Sequence, residues 1–357
     1  DPSKSSVKGR YGPQASRDGY NVNGKDRVGQ EGYITDELSQ FTLEWLNQRK
    51  SEKPFFLYVS HKAAHADFIP AERHAYRYKD QKLPVHKDWK GNKVIEQGKP
   101  LWVQNQRNSR HGIEYAYYTH LDMEQYYQRY CETLLAVDDS VGELMHWLDE
   151  SGESENTLVL YMGDNGFLFG EHGLIDKRNA YEESMRIPLM VKFPAVVSKG
   201  LKVSSMVANI DIAPTLLDVA GVRIPEHMDG RSFSPMLKGK NTPWRQYLLY
   251  EYFWERNYPQ TPTTHSLRGD RFKYIRYHGI WDKDELYDLE SDPDELQNLI
   301  REPQHQSRIK DMNRVLFDML ELSKGREIPL QRDRGTQFFH RAAGGSPASG
   351  FTSDFYQ

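Results

Sequence analysis

The residues most capable of chemistry stand at the end of an apolar run. Thr157-Leu158-Val159-Leu160-Tyr161-Met162 stops abruptly at Gly163-Asp164-Asn165-Gly166, and a glycine-punctuated loop leads from there to Lys177, thirteen residues after Asp164. A carboxylate and an amide oxygen at a strand end suit a hard cation such as calcium or magnesium. The neutral amide keeps the negative charge low, which matters if an anion must also bind the cation. A lysine nearby suits an oxyanion that the cation also touches. The combination points to metal-assisted chemistry on a sulfate or phosphate ester. Taken alone, Asp-Asn-Gly is also a tight-turn signal, because Asn and Gly accept positive φ. Here, however, no second alternating strand follows directly. The spacing Gly163/Gly166/Gly170/Gly173 is not a dinucleotide-binding fingerprint either, since no long helix follows.

Two further histidines merit attention. His65 follows the apolar run Phe55-Phe56-Leu57-Tyr58-Val59-Ser60, and His172 lies inside the glycine-rich loop. His61 and His65 are four apart, as in a zinc site, but Lys62 stands where the zinc protease pattern needs Glu, and the segment follows a strand. Arg107, Arg110 and His111 read as a solvated basic face or the lining of a sugar pocket.

The elements that must position these residues alternate. Ile34, Leu38, Phe41 and Trp45 fall at helical spacing, with Thr35 as the expected N-cap. Phe55–Ser60 reads as a buried parallel strand. A polar, charged excursion runs from about 67 to 118. Tyr130, Leu134, Val137, Val141, Leu144 and Leu148 mark a helix ending near Gly152; strands at Thr157–Met162 and Ile187–Phe193 flank the loop, and Asp211 is the expected cap of another helix. After Pro243 short strands are expected at Tyr247–Phe253, Ser266–Arg268, Phe272–Arg276 and Glu285–Tyr287, followed by a helix over 307–322. This predicts a main α/β domain over 1–242, a C-terminal antiparallel subdomain over 243–331 and a loosely ordered tail over 332–357.

Composition sets limits. The chain has 357 residues, a net charge of −4 and one cysteine, Cys131. No basic patch points to nucleic acid, no apolar run reaches the ~20 residues of a membrane span, and an intramolecular disulfide is ruled out.

From Gly19 to about Leu299 the chain resembles the sulfatase family, on the alkaline-phosphatase-like fold. The resemblance rests on Gly32-Tyr33-Ile34-Thr35-Asp36, Pro54–His65, Tyr130–Gly142, the loop through Tyr181-Glu182-Glu183-Ser184-Met185-Arg186-Ile187-Pro188-Leu189, then Asp211–Asp218, Asp229-Gly230-Arg231-Ser232 and Glu285–Leu289. Asn21–Lys25, Ser60–Lys62 and Arg107–Gly112 look most like the N-acetylglucosamine-6-sulfatase branch.

The resemblance implies a mainly parallel sheet flanked by helices. It also implies that Asp164 and Asn165 are metal ligands, with calcium the family's usual ion and magnesium compatible with the same ligand types. Lys177 and His65 would contact the sulfate, His65 also serving as proton donor to the leaving alcohol. His172 is left with two readings, contact with the sugar or leaving oxygen and loop structuring. The substrate would be a sulfated carbohydrate, and the family is usually exported (periplasmic, secreted or lysosomal). The family nucleophile is a formylglycine made from Cys/Ser-x-Pro-x-Arg. That motif does not occur here, since Cys131 is followed by Glu132-Thr133-Leu134-Leu135, and the family's first pair of metal-binding aspartates has no match. The expectation is therefore that this sequence is the C-terminal portion of a sulfatase, inactive by itself. A phosphodiesterase or phosphonate monoester hydrolase of the same fold and a noncatalytic sulfated-glycan binder are the alternatives.

Overall fold

The computed structural model describes residues 20–22, 26–50, 53–82, 98–115, 122–255 and 258–325. The expected tail at 332–357 and most of the polar N-terminal stretch lie outside the described residues, as do parts of the 67–118 excursion.

A short hairpin, β1 (Tyr20–Val22) and β2 (Asp26–Val28), precedes helix α1 (Ile34–Gln48). The N-cap of α1 is Tyr33, not Thr35; Thr35 sits inside the first turn, fully buried, and Ser39 bonds back to its carbonyl at 2.8 Å. Helix α2 (Leu101–Gln106) is short. Helix α3 (Met123–Glu150) begins a full two turns before the first apolar position used to predict it, because Asp122 caps it by accepting the Gln125 N–H. Ser39 of α1 and Ser140 of α3 meet at 2.6 Å, and Arg73 clamps Asp36 to Asp139 across the two helices.

Strand β3 (Val159–Met162) pairs with β4 (Leu189–Lys192) antiparallel, Met162 opposite Leu189. A mainly parallel sheet was expected, but among the described residues every ladder is antiparallel. The reason is the connection: the loop between β3 and β4 contains only a 3-10 turn at Glu171–Gly173 and one α-helical turn, α4 (Glu182–Met185), and lacks the crossover helix that parallel pairing commonly uses. Residues 55–60 are extended but form no ladder among the described residues, and Phe56 and Tyr58 are exposed. Helices α5 (Ile212–Val219) and α6 (Ser234–Leu237) follow.

The C-terminal elements follow the expected pattern. Strands β5 (Tyr247–Tyr252), β6 (Thr263–Gly269), β7 (Phe272–His278) and β8 (Glu285–Asp288) form one antiparallel sheet in chain order, and α7 (Gln306–Leu322) packs on it. Met312, Leu316 and Leu320, four apart, make one buried stripe on α7 and meet Leu267, Tyr274 and Leu286. The other sheet face meets the loop between β3 and β4: Ile275, Tyr277 and Tyr287 pack with Leu168, Leu174, Tyr181 and Val103. With both faces covered, β6 is buried along nearly its whole length.

Asp211 is not a side-chain cap of α5, contrary to expectation. Its fully buried carboxylate accepts from the Ala208 and Arg231 N–H groups at 2.8 Å and is gripped by both terminal nitrogens of Arg245 at 2.5 Å. A buried carboxylate earns its place by such bonds, and removing it strands the Arg245 guanidinium. Asp211→Ala is expected to destabilise the fold by about 3–5 kcal/mol, read from the shift in urea midpoint; a change below ~1 kcal/mol would show the network to be dispensable.

Candidate functional site

The site is built on the loop between β3 and β4. Asp164 and Asn165 stand just past the end of β3, the position at which open α/β sheets place ligands. Asp164 is exposed, and among the described residues its carboxylate accepts only the Asn165 N–H, at 2.9 Å on Oδ1. Asn165 donates its Nδ2 to the Gly166 carbonyl at 2.7 Å, which leaves Oδ1 without a protein partner among the described residues. A carboxylate and an amide oxygen with uncommitted lone pairs, side by side, are what a hard cation takes.

The loop is closed by backbone bonds from Leu168 N–H to Asp176 O and from Gly170 N–H to Leu174 O, both 2.8 Å. It is also knitted to the excursion that precedes α3: Ile175 donates to His111 O at 2.8 Å and Ile113 to Gly173 O at 3.1 Å. Two glycines are required. A Cβ on Gly166 would sit 2.0 Å from the Glu183 carbonyl oxygen. Gly173 has φ +77°, and a Cβ there would meet Arg107 Nη1 at 2.1 Å.

Lys177 is half-buried, and its ammonium has no partner among the described residues. Its neighbours are the reverse. The buried Asp176 carboxylate accepts from Gln106 and Asn179 at 3.1 Å, His111 at 3.0 Å and Arg178 at 3.1 Å. Burial works to raise its pKa, but the bonds from His111 and Arg178 outweigh burial and hold it below the usual carboxylate range. Arg178 lies 3.4 Å over the Tyr258 ring and pairs with Glu255. Arg107 is likewise buried and paired with Glu114 at 2.6 Å. Arg107 and His111 are therefore packed into the site's framework and do not form a solvated face.

His65 is exposed, with Nδ1 donating to the Ala66 carbonyl at 2.6 Å, so Nε2 is the atom left for a ligand. His61 turns away to Ser140 on α3, 3.1 Å distant, which separates the two rings' roles and removes the zinc arrangement. Among the described residues Asp164, Asn165, Lys177 and His65 all have a ligand-capable atom free of protein partners.

His172 differs. It is 4 % exposed, has φ +55°, stacks at 4.0 Å on Tyr181 and faces Glu183 at 3.5 Å. This packing supports the loop-structuring reading. Together with Glu295 these groups form the one cluster of three potential metal donors among the described residues, their atoms within 4.8 Å. A cation is disfavoured there, because the Lys273 ammonium already sits 2.6 Å from Glu295. The neighbourhood is a buried ion network: Lys273 also reaches Glu182 at 3.1 Å, Arg268 reaches Glu182 at 3.2 Å, and Lys99 lies 3.7 Å from Glu285 and 4.0 Å over Tyr181. Sequence reading missed Asp176 and Glu295. Asp176 sits beside Lys177 in the loop motif, but its partners Gln106 and His111, like Glu295's partner Glu182, lie far off in sequence.

Two family models match the chain: "Sulfatase" over residues 5–222, and "N-sulphoglucosamine sulphohydrolase, C-terminal" over 170–321. The N-acetylglucosamine-6-O-sulfatase of Bacteroides thetaiotaomicron is 30% identical in an alignment that covers 86% of this chain and 63% of that protein. The human N-acetylglucosamine-6-sulfatase is 29% identical in an alignment that covers 78% of this chain and 55% of that protein. The chain thus spans between about half and under two thirds of these curated relatives. A protein solved in complex with its substrate D-glucosamine-2-N,6-O-disulfate superimposes with TM-score 0.74 and 25% identity, covering 86% of this chain and 73% of that one. A phosphonate monoester hydrolase from Silicibacter pomeroyi shares the fold, with TM-score 0.70 at 19% identity, covering 87% and 66%.

Burial of His172, helped by Lys99, lowers its pKa from the ordinary 6.5 to about 4, so the ring is neutral at physiological pH. The folded state then binds fewer protons than the unfolded state between those values. The stability His172 contributes is full above pH 6.5 and is lost as pH falls toward 4. His172→Gln is expected to flatten the decline in melting temperature between pH 6.5 and 4; an unchanged slope would contradict a buried neutral imidazole.

Proposed function

The chain belongs to the sulfatase family, and from that premise we propose that it carries part of the active site of a sulfuric ester hydrolase acting on a sulfated glucosamine. The observation that carries the reading is that Asp164, Asn165, Lys177 and His65 each keep a ligand-capable atom free of protein partners among the described residues, the first three of them on a loop whose backbone is closed by hydrogen bonds. The N-acetylglucosamine-6-sulfatases and the disulfated glucosamine complex among the chain's similar proteins support a 6-sulfated glucosamine as substrate.

Asp164 Oδ and Asn165 Oδ1 fit calcium by donor type, and magnesium fits the same oxygens. Such a cation, when bound, offsets the charge of the sulfate oxygens. Lys177 holds a positive charge against the ester, stabilising negative charge that grows on sulfate and leaving oxygen. His65, with Nδ1 committed, presents Nε2 to the ester, where a proton held at that atom passes to the leaving alcohol. His172 acts one layer below, as a packing residue for the loop. The nucleophile is a residue that no motif of this sequence supplies; in the family it is formylglycine. An exported compartment accords with the relatives' family.

The test is calcium-dependent release of sulfate from N-acetylglucosamine-6-sulfate by the intact protein. Lys177→Ala is expected to lower kcat by about 10²–10³-fold, the usual cost of one transition-state charge donor, while Asp164→Ala abolishes calcium dependence. Unchanged turnover in Lys177→Ala would remove the role assigned to Lys177. A faster rate on phosphonate monoesters or phosphodiesters would move the reading to the hydrolases that share the fold. Binding of the sulfated sugar without turnover would favour a noncatalytic glycan binder.

A further inference from the structure

Gly166, four residues past the end of β3, is tied to α4. Its N–H donates to the Ser184 carbonyl at 2.8 Å, and the absence of a Cβ lets it lie against the Glu183 carbonyl. The position of the Asp164–Asn165 pair therefore depends on where α4 sits. A helix of one turn has little stability of its own, so α4 must be held from outside.

Arg268 and Lys273 grip its Glu182 carboxylate, and its first N–H is held by Glu295, on the turn after β8. Its Oε2 accepts the Glu182 N–H, the first of α4, at 2.7 Å. Its Oε1 pairs with Lys273 of β7 at 2.6 Å, and Lys273 in turn reaches the Glu182 carboxylate. The Glu295 backbone carbonyl accepts from Lys99 at 2.7 Å. Glu295 is fully buried and has φ +51°, a left-handed conformation that is unfavourable for a non-glycine residue. The turn is prepared for it: Asp292 caps it by accepting the Leu296 and Gln297 N–H groups at 2.9 and 2.8 Å.

We propose that Glu295 is a positioning residue for the candidate cation site, acting through α4 on Gly166 and so on Asp164 and Asn165. The inference rests on the reading of Asp164 and Asn165 as cation ligands. It makes the C-terminal sheet region part of the site's machinery although none of its residues touches the cation.

Burial pushes the Glu295 carboxyl up to about 7, against the pull of Lys273 and Lys99. The charged and titratable groups facing it are Lys273 on β7, Glu182 and Glu183 on α4, His172 on the loop and Lys99 before α2. As the carboxyl ionises it accepts a stronger, charge-assisted bond from the Glu182 N–H, so α4 is held more tightly at pH 8 than at pH 6.

The experiment is a calcium titration of the intact protein by calorimetry at pH 6, 7 and 8, for the wild type, Glu295→Ala, Glu295→Gln and Asp164→Asn. The wild type is expected to bind calcium several-fold more tightly at pH 8 than at pH 6. Glu295→Ala should weaken binding at pH 8 at least tenfold. Glu295→Gln, which keeps an acceptor for the Glu182 N–H, should bind at every pH as the wild type does at pH 6. Wild-type affinity in Glu295→Ala overturns the inference. If Glu295→Ala does not fold, a wild-type pH profile in Glu295→Gln overturns it instead. Calcium binding that is absent in the wild type, or that survives unchanged in Asp164→Asn, overturns the underlying reading of the ligands, and the inference falls with it.

Discussion

The buried contact among Glu295, Lys273 and Glu182 is what the rest of the structure depends on. Lys273 and Glu295 are both fully buried, 2.6 Å apart, and Glu182 closes the triangle at 3.1 Å. Charges withdrawn from water are tolerated only when paired and hydrogen-bonded, and losing one partner typically costs about 3–5 kcal/mol. The triangle thus ties three segments together: the loop between β3 and β4, the C-terminal sheet, and the turn after it. The apolar contacts of Leu168, Leu174 and Tyr181 with Ile275, Tyr277 and Tyr287 surround it and keep water out. Tyr181, Tyr277 and Tyr287 all direct their hydroxyls at Glu285, so the neighbouring carboxylate is satisfied as well.

This arrangement explains a contrast within one loop. Residues 166–176 are fixed by backbone bonds and a buried underside, while Asp164, Asn165 and Lys177 keep their functional atoms free. A site that must receive both a cation and an anion needs rigid backbone and uncommitted side chains, and preorganisation of that kind is what makes charge stabilisation effective. Asp176 and Arg178, on either side of Lys177, take up the bonds that would otherwise compete for it.

Much of this was legible in the sequence, and for physical reasons. The apolar spacing over 130–148 and 307–322 marks α3 and α7, although on α3 only Val137 and Leu148 of the apolar positions are buried and small or polar Thr133, Ala136 and Ser140 complete its buried face. The abrupt stop after Met162 marks the end of β3, and the Asp-Asn-Gly that follows opens the loop that carries the proposed cation ligands. What was not legible is tertiary. Nothing near Glu295 in sequence announces a partner 113 residues away, and Asp-Pro-Asp-Glu reads as a solvated turn. His172 looks like a loop histidine until its burial against Tyr181 is seen. The antiparallel return of β4 depends on a connection with one helical turn, which apolar runs alone do not reveal. The N-cap at Tyr33 shows the same limit locally: Thr35 has the right chemistry for a cap but is buried instead.

The central claim is that Asp164, Asn165 and Lys177 together receive a cation and a sulfate ester. The most direct measurement is anomalous diffraction from crystals of the intact protein soaked with calcium and N-acetylglucosamine-6-sulfate. The account expects a calcium peak about 2.3–2.6 Å from oxygens of both Asp164 and Asn165, with a sulfate oxygen in contact with Lys177 Nζ. A cation or sulfate bound elsewhere, with those side chains left unliganded, would contradict it.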